Sequence, residues 1–376
     1  MKKIALWGAG EAGKYILSNT SGLYEICEVI DNNVLNANIE NIPVVTPQEY
    51  MEEPKDEIFG VLIGICNDFV VADIIKQVSE MGINNVGIFR KPIIIGEPLE
   101  WHDIIWFNPM EKAFWPYLET NVIDQCNLKC KGCSHFSNLF SNEDKEEETL
   151  EDLERDLKVL SQHVIVRKFR ILGGEPFLSP NLKEYVEVAR TFLPYTDIRI
   201  VTNGTLLMKA EDVLYECIRE KNIILDISEY PPITEKKDVL KRYLDSRGIK
   251  YNFSQKVEEF SKYFDLQGKN APLISHKKCT MNICRYLRCG KVYRCHLEGS
   301  IYKYARIYKI DELEQMIPHL GLDIHDENLD WVWTYHKLNK PGILCRFCDE
   351  KGGEPFSWGV STNPKKEEWL VDRSEI

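Results

Sequence analysis

The sequence lacks a long apolar run and an excess of positive charge, and both absences narrow what the chain can be. No stretch approaches the ~18 consecutive apolar residues that a membrane-spanning helix needs. The 47 Lys and Arg residues are outnumbered by 59 Asp and Glu, which gives a formal net charge of −12. An acidic protein is disfavoured on nucleic acid and on anionic membrane surfaces. We therefore expect neither nucleic acid nor a membrane as a partner.

The N-terminal residues are not expected to be a secretory signal. The first eight residues, MKKIALWG, begin like a signal peptide, but a glycine interrupts the apolar run after four residues. Twelve cysteines in a chain without such a signal indicate a cytoplasmic, reducing location and metal ligation rather than disulfides. The acidic run at residues 143–148 is predicted to be a solvated loop that leads into a helix.

Three cysteines stand close together before the middle of the chain. Cys126, Cys130 and Cys133 follow a short apolar stretch at spacings of four and three residues. Thiolates select iron–sulfur clusters or zinc, and one loop can wrap three of them around a cubane whose fourth iron stays open. Structural zinc loops usually combine two C-x₂₋₄-C pairs or add histidines. The spacing favours a cluster and leaves zinc as the alternative.

Two more motifs follow this cysteine motif in order. GGEP at 173–176 comes after an apolar strand, and TNGTLL at 202–207 ends the next strand. The order CxxxCxxC, GGEP, TNGTLL resembles the radical S-adenosylmethionine (radical SAM) superfamily over about residues 119–255. The resemblance implies a 4Fe–4S cluster whose open iron chelates SAM. One-electron reduction would then release a 5′-deoxyadenosyl radical that takes a hydrogen atom from the substrate.

The resemblance also implies SAM contacts at the ends of strands. Many members end their fourth strand with a serine in an SLDG-like sequence, where this chain has Ile227-Ser228-Glu229-Tyr230. Many members also carry an aromatic at the position of Gly132; here Phe136 or His135 would replace it, unless both simply pack in the interior. The implied SAM contacts are Gly173, Gly174, Glu175, Pro176, Thr202, Asn203 and Ser228.

A second group of cysteines lies in the last third of the chain. Cys279, then Gly290 and Cys295, then a distant C-x₂-C resembles the twitch domain, the shorter relative of the SPASM domain. By that resemblance the ligands of a second, auxiliary 4Fe–4S cluster are Cys279, Cys295, Cys345 and Cys348. A four-cysteine zinc site on the same residues is the alternative.

Five cysteines have no place in either set. Cys284 and Cys289 lie between auxiliary ligands, where they are expected to pack, to ligate or to present a thiol near the barrel mouth. Cys27, Cys66 and Cys217 fall in strand or helix patterns and are predicted to be small buried side chains.

The first 92 residues predict a Rossmann-like unit. A strand at 2–7 is followed by the glycines Gly8, Gly10 and Gly13, a helix, and a second strand that ends at Asp31. Glycines let a backbone approach a diphosphate at a helix N-terminus, and the acid sits where a ribose hydroxyl would be. We expect a nucleotide or nucleotide-sugar site here, with a module that only docks a partner as the alternative.

The remaining chain is predicted to contain three further parts. Residues 93–118, rich in proline and aromatics, read as a linker. Residues 119–272 alternate strands and helices, which predicts a partial (β/α) TIM barrel. Residues 273–376 form the expected twitch-like domain. The barrel strands are predicted near 121–124, 165–172, 198–202, 223–227 and 249–253.

These features together predict a cytoplasmic, anaerobic radical SAM oxidoreductase. We expect it to dehydrogenate a sugar, aminocyclitol or nucleotide-sugar in polysaccharide or natural-product biosynthesis, with electrons from a flavodoxin- or ferredoxin-type donor. A sugar epimerase and a peptide maturase are the alternatives within enzymes. A zinc-binding structural module is the alternative outside them.

Overall fold

The computed structural model describes residues 1–53, 55–141 and 148–372, so residues 143–147 of the acidic run at 143–148 lie outside the described residues. The chain divides into two compact units. The first contains Met1–Pro116, Gln162–Arg167 and Asp330–Tyr335; the second contains Tyr117–Ser161, Lys168–Leu329 and His336–Ile376. Within the described residues, no helix is both long and apolar enough to span a membrane.

The strands are short and spread along the whole chain. They are β1 Lys2–Trp7, β2 Tyr24–Ile30, β3 Asn38–Ile39, β4 Ile42–Val45, β5 Val61–Ile63, β6 Val86–Phe89, β7 Ile104–Phe107, β8 Ala113–Asn121, β9 Val164–Leu172, β10 Asp197–Thr202, β11 Ile224–Ile227, β12 Lys250–Phe253, β13 Glu259–Lys262, β14 Tyr286–Arg288, β15 Lys291–Tyr293, β16 Leu322–Asp323 and β17 Glu354–Ser357.

The α-helices alternate with these strands. They are α1 Glu11–Ser18, α2 Pro47–Glu52, α3 Asp68–Glu80, α4 Leu150–His163, α5 Leu182–Phe192, α6 Asp212–Glu220, α7 Pro231–Thr234, α8 Lys237–Ser246, α9 Pro272–Lys278, α10 His296–Tyr308, α11 Asp311–Met316 and α12 Trp331–Leu338.

The first unit is built on a seven-stranded sheet of order β3-β4-β2-β1-β5-β6-β7. The pairs from β4 through β6 are parallel, and the two edge strands β3 and β7 are antiparallel to their neighbours. The last four residues of β1 and all of β5 are apolar and buried, as expected for parallel strands covered on both faces. The sheet also contains the short edge strands β3 and β7, which carry too little periodicity to be predicted from the sequence.

The second unit contains an open eight-stranded sheet of order β12-β11-β10-β9-β8-β14-β15-β16. Strands β9 to β12 are parallel, which agrees with the expected partial barrel. Strand β14 adds to β8 in parallel, and β15 and β16 extend the sheet antiparallel. Strands of the expected twitch-like region thus hydrogen-bond in the same sheet as the barrel strands.

The segment 93–118, predicted as a linker, contributes to regular structure. Strand β7 pairs with β6, and β8 begins at Ala113 instead of near residue 121. The early start of β8 has a physical reason, since the run AFWPYLETN is apolar enough to be almost wholly buried. The boundaries proposed for the four parts of the chain otherwise remain predictions.

The sheet of the second unit has an apolar face and a polar face, because side chains alternate along each strand. On β9, Phe169 and Ile171 are buried, whereas Lys168 and Arg170 remain partly exposed. Strand β10 repeats the alternation. We call the following set the charged face: Tyr117, Glu119, Lys168, Arg170, Asp197, Arg199, Asp226 and Asn252.

Candidate active site

The three predicted cluster cysteines lie in the loop that follows β8. Cys130 is buried and the other two are half-buried. Burial, with a smaller contribution from the nearby Cys133, raises the pKa of Cys126 to about 11 and that of Cys130 to about 12. The structure therefore brings the three sulfurs into one neighbourhood that disfavours free thiolates.

Each of these sulfurs faces N–H groups. The Leu128 backbone donates to Cys126 Sγ at 3.5 Å, and the Trp358 indole donates to Cys130 Sγ at 3.2 Å. Backbone groups of residues 135–137 act on the Cys133 sulfur and lower its pKa against the effect of burial. Such N–H···S contacts accompany the thiolate ligands of iron–sulfur clusters and tune their potentials. The donor set fits a cluster.

The iron–sulfur assignment rests on the cysteine motif and on the N–H groups that face its sulfurs. It does not rest on a site already arranged for a single metal ion. In the described part of the chain, no three His, Cys, Asp or Glu side chains are arranged to hold one metal ion. The assignment of both clusters, and the zinc alternative, therefore remain predictions.

The GGEP motif is fastened to the segment that precedes Cys126. The Gly174 amide donates to the Ile123 carbonyl at 2.8 Å, and the Glu175 amide donates to the Gln125 carbonyl at 2.9 Å. A Cβ at Gly173 would lie 2.0 Å from the Ile123 oxygen, and one at Gly174 would lie 2.0 Å from the Gln125 oxygen. Only glycine permits this approach, which explains both glycines sterically.

Glu175 joins the second motif to the third. Its side chain is fully buried and accepts hydrogen bonds from Thr202 Oγ1 at 2.6 Å, the Asn203 amide at 2.8 Å and the Phe177 amide at 3.2 Å. Burial nevertheless raises the pKa of Glu175 to about 7. The carboxyl group holds the ends of β9 and β10 together, a positioning role that the sequence did not indicate.

Asn203 completes the connection to the cysteine loop. Its side-chain amide donates to Cys126 Sγ at 3.7 Å and to Asn127 Oδ1 at 2.9 Å. Asn127 in turn donates to Thr205 Oγ1 at 2.8 Å. The three motifs therefore form one hydrogen-bonded unit at the ends of neighbouring strands, where parallel sheets place their sites.

Ser228 lies at the end of the neighbouring strand. Its amide donates to the Thr202 carbonyl at 2.9 Å, and its side chain is half-buried. Tyr230, two residues later, stands beside the cysteines: burial and the nearby thiols raise its pKa well above the usual value. Its ring packs on Trp358 with centroids 6.1 Å apart. The role of Ser228 as a SAM contact remains a prediction.

The segment after β17 covers the cysteine loop, which sequence reasoning missed. The Lys131 amide donates to the Gly359 carbonyl at 2.8 Å, and the Ser361 amide donates to the Lys129 carbonyl at 2.9 Å. The Trp369 indole donates to the Cys133 carbonyl at 2.8 Å. No local sequence signal predicts these contacts, because they join residues more than 200 positions apart.

Gly132 has a positive φ of 61°, and a Cβ there would lie 2.6 Å from the Phe356 ring. The glycine thus leaves room for Phe356 of β17, the strand that leads into the covering segment. Phe136 is fully buried between Phe264 and Trp369, which agrees with the alternative that this side chain packs in the interior. His135 stacks on His296 with centroids 4.2 Å apart, so it too has a packing role.

The four predicted auxiliary ligands also come together. Burial raises the pKa of Cys295 and Cys348 well above the usual value, and Cys279 contributes to both increases. Cys279 likewise raises the pKa of Cys345. Backbone amides donate to two of these sulfurs, Met281 to Cys279 at 3.3 Å and Gly342 to Cys345 at 3.4 Å. This set of donors therefore fits a second iron–sulfur cluster, just as the first set of cysteines fits the first cluster.

Cys284 and Cys289, which belong to neither set of predicted ligands, differ in their exposure. Cys284 is half-buried, and its pKa is raised to about 12 by burial and by the nearby Glu119 carboxylate. Cys289 is exposed in the β14–β15 turn, where its φ is +46°.

Of the cysteines predicted to be buried, Cys217 is buried and Cys27 is half-buried, but Cys66 is exposed because it lies just beyond the end of β5.

The N-terminal glycines and Asp31 are joined to each other. Gly8 has a φ of +124°, and the Ala9 amide donates to Asp31 Oδ2 at 2.7 Å. A Cβ at Gly13 would lie 1.8 Å from the Gly8 oxygen, whereas one at Gly10 meets nothing within 4 Å. Asp31 thus stabilises the turn itself. Nucleotide binding at this turn remains a prediction.

Comparison with known proteins supports the radical SAM reading of the core. Residues 120–247 match the family model described as Radical SAM superfamily. A GTP 3′,8-cyclase of Alkaliphilus oremlandii is 30% identical over 129 residues, covering 33% of this chain and 40% of that protein. A GTP 3′,8-cyclase of Staphylococcus epidermidis is 38% identical over 117 residues, covering 30% of this chain and 34% of that protein. The chain thus spans less than half the length of these relatives.

BtrN and SuiB are among the solved structures that show similarity to parts of this chain. BtrN in complex with AdoMet and 2-DOIA is 17% identical with a TM-score of 0.40, covering 69% of this chain and 100% of that one. SuiB of Streptococcus suis is 20% identical with a TM-score of 0.29, covering 37% of this chain and 32% of that one. The sequence match over residues 120–247, rather than overall shape, supports the superfamily.

Proposed function

We propose that the chain is a radical SAM enzyme in which Cys126, Cys130 and Cys133 hold a 4Fe–4S cluster with one open iron. The observation that carries this proposal is the hydrogen-bonded unit formed by the cysteine loop, GGEP and TNG, with Asn203 in contact with Cys126 Sγ. When bound, such a cluster supplies the electron that cleaves SAM into methionine and a 5′-deoxyadenosyl radical.

The chain's own residues would orient SAM and exclude water. The strand edge at 173–176 and the backbone at Thr202, Asn203 and Ser228 surround the cysteine loop and are proposed to hold SAM. Trp358 and Tyr230 cover the same loop from the C-terminal side and from β11. A covered site suits radical chemistry, because it limits side reactions of a reactive intermediate.

SAM cleavage by purified protein tests this proposal. After anaerobic reconstitution and reduction with dithionite, we expect the wild type to form 5′-deoxyadenosine and methionine. Replacing the three cysteines by Ala should abolish both products and remove about half of the iron, since two cubanes contain about eight irons. Cys66→Ala, which changes an exposed thiol, serves as the control and should cleave SAM normally. Zinc in the purified protein with no cleavage after reconstitution would overturn the proposal.

For the substrate we favour oxidation of a sugar, aminocyclitol or nucleotide-sugar. The radical would take a hydrogen atom from a carbinol carbon, the hydroxyl proton would leave to solvent, and one electron would go to an acceptor. The auxiliary cluster on Cys279, Cys295, Cys345 and Cys348 would supply that acceptor. A flavodoxin- or ferredoxin-type protein is the proposed donor of the first electron.

Epimerisation is the second candidate, and one observation favours it. Cys284 lies near Glu119 on the charged face, where a thiol can return a hydrogen atom to a substrate radical. The two reactions differ in heavy water. Oxidation gives a product two mass units lighter without deuterium at the reacting carbon. Epimerisation gives one deuterium and no net oxidation, and its deuterium should disappear in Cys284→Ala.

The similar proteins suggest a third reaction that the same substrate assay can test. Because those proteins are GTP 3′,8-cyclases, GTP belongs in the substrate panel beside sugars and nucleotide-sugars. A cyclised product from GTP would replace sugar oxidation as the proposed reaction and leave the proposal of SAM cleavage intact.

A further inference from the structure

Polar contacts connect the side chains of the charged face across four strands, β8 to β11. Arg199 Nη1 donates to Asp226 Oδ1 at 3.0 Å, and Arg170 Nη2 lies 3.6 Å from Asp226 Oδ2. Arg170 Nη1 donates to the Tyr117 hydroxyl at 2.9 Å, and that hydroxyl donates to Glu119 Oε2 at 2.6 Å. The contacts thus connect the partly exposed Arg199, which also pairs with Asp197, to the buried carboxylate of Glu119.

At the buried end, Glu119 meets two histidines. The Glu119 and His296 residues are 3% and 5% exposed, and His296 Nδ1 lies 3.5 Å from Glu119 Oε1. His135 stacks on His296 with ring planes 9° apart. Carboxylate, imidazole and imidazole thus form one compact group, which we call the Glu119 cluster.

The Glu119 cluster has hydrogen-bonding capacity that the protein leaves unused. Among the described residues, no hydrogen-bond partner reaches His296 Nε2 or His135 Nδ1, and Glu119 Oε1 has only the 3.5 Å approach of His296. Buried polar atoms are almost always hydrogen-bonded, and leaving one unpaired is unfavourable. Several such atoms in one group indicate a place that a ligand completes.

The types of unpaired atom indicate what this ligand offers. With Nδ1 directed at the carboxylate, the His296 proton belongs on Nδ1, which leaves Nε2 as an acceptor. Glu119 Oε1 is a second acceptor. Two acceptors on neighbouring side chains suit a ligand that carries more than one O–H donor.

The charge of the face argues for a neutral ligand. The cations Lys168, Arg170 and Arg199 are matched by the anions Glu119, Asp197 and Asp226, so the formal charges of the face cancel. Sites for di- and triphosphates instead concentrate positive charge and helix N-termini. A balanced set of donors and acceptors matches hydroxyl groups, which both donate and accept.

We propose that the charged face and its Glu119 cluster bind a neutral polyhydroxylated ligand, a sugar or cyclitol without a phosphate. This inference rests on the proposed function, since the ligand would be the molecule that loses a hydrogen atom. It narrows the proposed substrate class to neutral sugars and cyclitols, and it excludes nucleotide-sugars and GTP.

Binding to the full-length, reconstituted protein tests this inference without requiring SAM cleavage. The probes are myo-inositol and N-acetylglucosamine as neutral ligands, glucosamine as a cation, and UDP-glucose and GTP as anions, each followed by saturation-transfer NMR. We expect a neutral probe to bind and Glu119→Gln to weaken that binding about tenfold, because a charge-assisted hydrogen bond is lost. Tyr117→Phe, which removes the hydroxyl that holds Glu119, should weaken it by a smaller factor.

The control is Glu216→Gln, an exposed glutamate on α6 outside the face, which should leave binding unchanged. Thermal unfolding of each variant checks that the fold is kept. Binding of UDP-glucose, GTP or glucosamine in preference to the neutral probes would overturn the inference. So would a wild type that binds no neutral probe, or neutral binding that survives in Glu119→Gln. SAM cleavage, measured separately on the same samples, shows whether the proposed function holds when this inference fails.

Discussion

The indole nitrogen of Trp358 lies 3.2 Å from the sulfur of Cys130 and donates a hydrogen bond to it. The two residues are 228 positions apart, so the C-terminal segment supplies a direct neighbour to the cysteine motif. The nearby Trp369 reaches the same loop but donates to the Cys133 carbonyl. This pair of indoles offers a matched comparison of a sulfur contact with a backbone contact.

We predict that Trp358→Phe lowers the reduction potential of the first cluster. An N–H···S hydrogen bond stabilises the more negative, reduced state, so its loss favours the oxidised state. A shift of roughly 60 mV corresponds to a tenfold change for one electron. Redox titration followed by EPR measures it. Trp369→Phe, which keeps the sulfur contact, should shift the potential much less, and equal shifts in both variants would contradict the prediction.

Gly174→Ala is predicted to destabilise the fold strongly. The new methyl group would lie 2.0 Å from the Gln125 carbonyl oxygen, so the backbone beside Cys126 must move. Such overpacking costs about 3 kcal/mol or more in the free energy of unfolding. Gly10→Ala is the control, because a Cβ there meets nothing within 4 Å. Urea unfolding measures both, and similar losses would show that the close approach at Gly174 is not rigid.

Stability should fall as the pH rises from about 4.5 to about 7, in part because of Glu175. The pKa of this carboxyl group is raised by burial from 4.5 to about 7 in the folded protein. Over that window the folded chain holds a proton that the unfolded chain has released, so increasing pH favours unfolding. The contribution is about 3 kcal/mol at full ionisation.

Glu175→Gln isolates this contribution, because an amide does not titrate. The difference in unfolding free energy between wild type and Glu175→Gln, from urea titrations at pH 5 and pH 8, should change by about 2.5 kcal/mol in favour of the variant at pH 8. A difference that is the same at both pH values would show that the carboxyl group keeps an ordinary pKa.

Removing one ligand of the auxiliary cluster should show that the two sets of cysteines hold separate clusters. Cys345→Ala is expected to lose about half of the iron after reconstitution and to keep SAM cleavage measurable. Cys284→Ala, which removes a thiol that lies by Glu119, should retain all of the iron. Iron and sulfide analysis measures both. Equal iron loss in the two variants would make Cys284 a ligand and contradict the assignment.

Local sequence patterns were sufficient for the parts of the site that are continuous in the chain. The strands that carry GGEP and TNG were predicted from apolar runs, and both motifs lie at strand ends as expected. The parallel α/β character followed from the alternation of strands and helices. These features depend on neighbours a few residues apart, which a sequence displays directly.

The contacts that complete the site depend on distant residues and were not predictable in this way. Nothing near Trp358 in the sequence indicates that it reaches Cys130. The edge strands β3 and β7 are too short for a clear periodic signal. The charged face does leave a signal in the sequence, since charged and apolar residues alternate in β9 and β10, but the apolar residues alone are sufficient to predict the strands.

EPR spectroscopy of the reduced protein, with and without SAM, tests the central claim most directly. If Cys126, Cys130 and Cys133 hold a 4Fe–4S cluster with an open iron, then SAM should change the spectrum of that cluster. The triple Ala variant should lack this SAM-sensitive signal and keep the auxiliary signal. A spectrum that SAM leaves unchanged in the wild type, or a reconstituted protein that contains zinc in place of iron, would contradict the account.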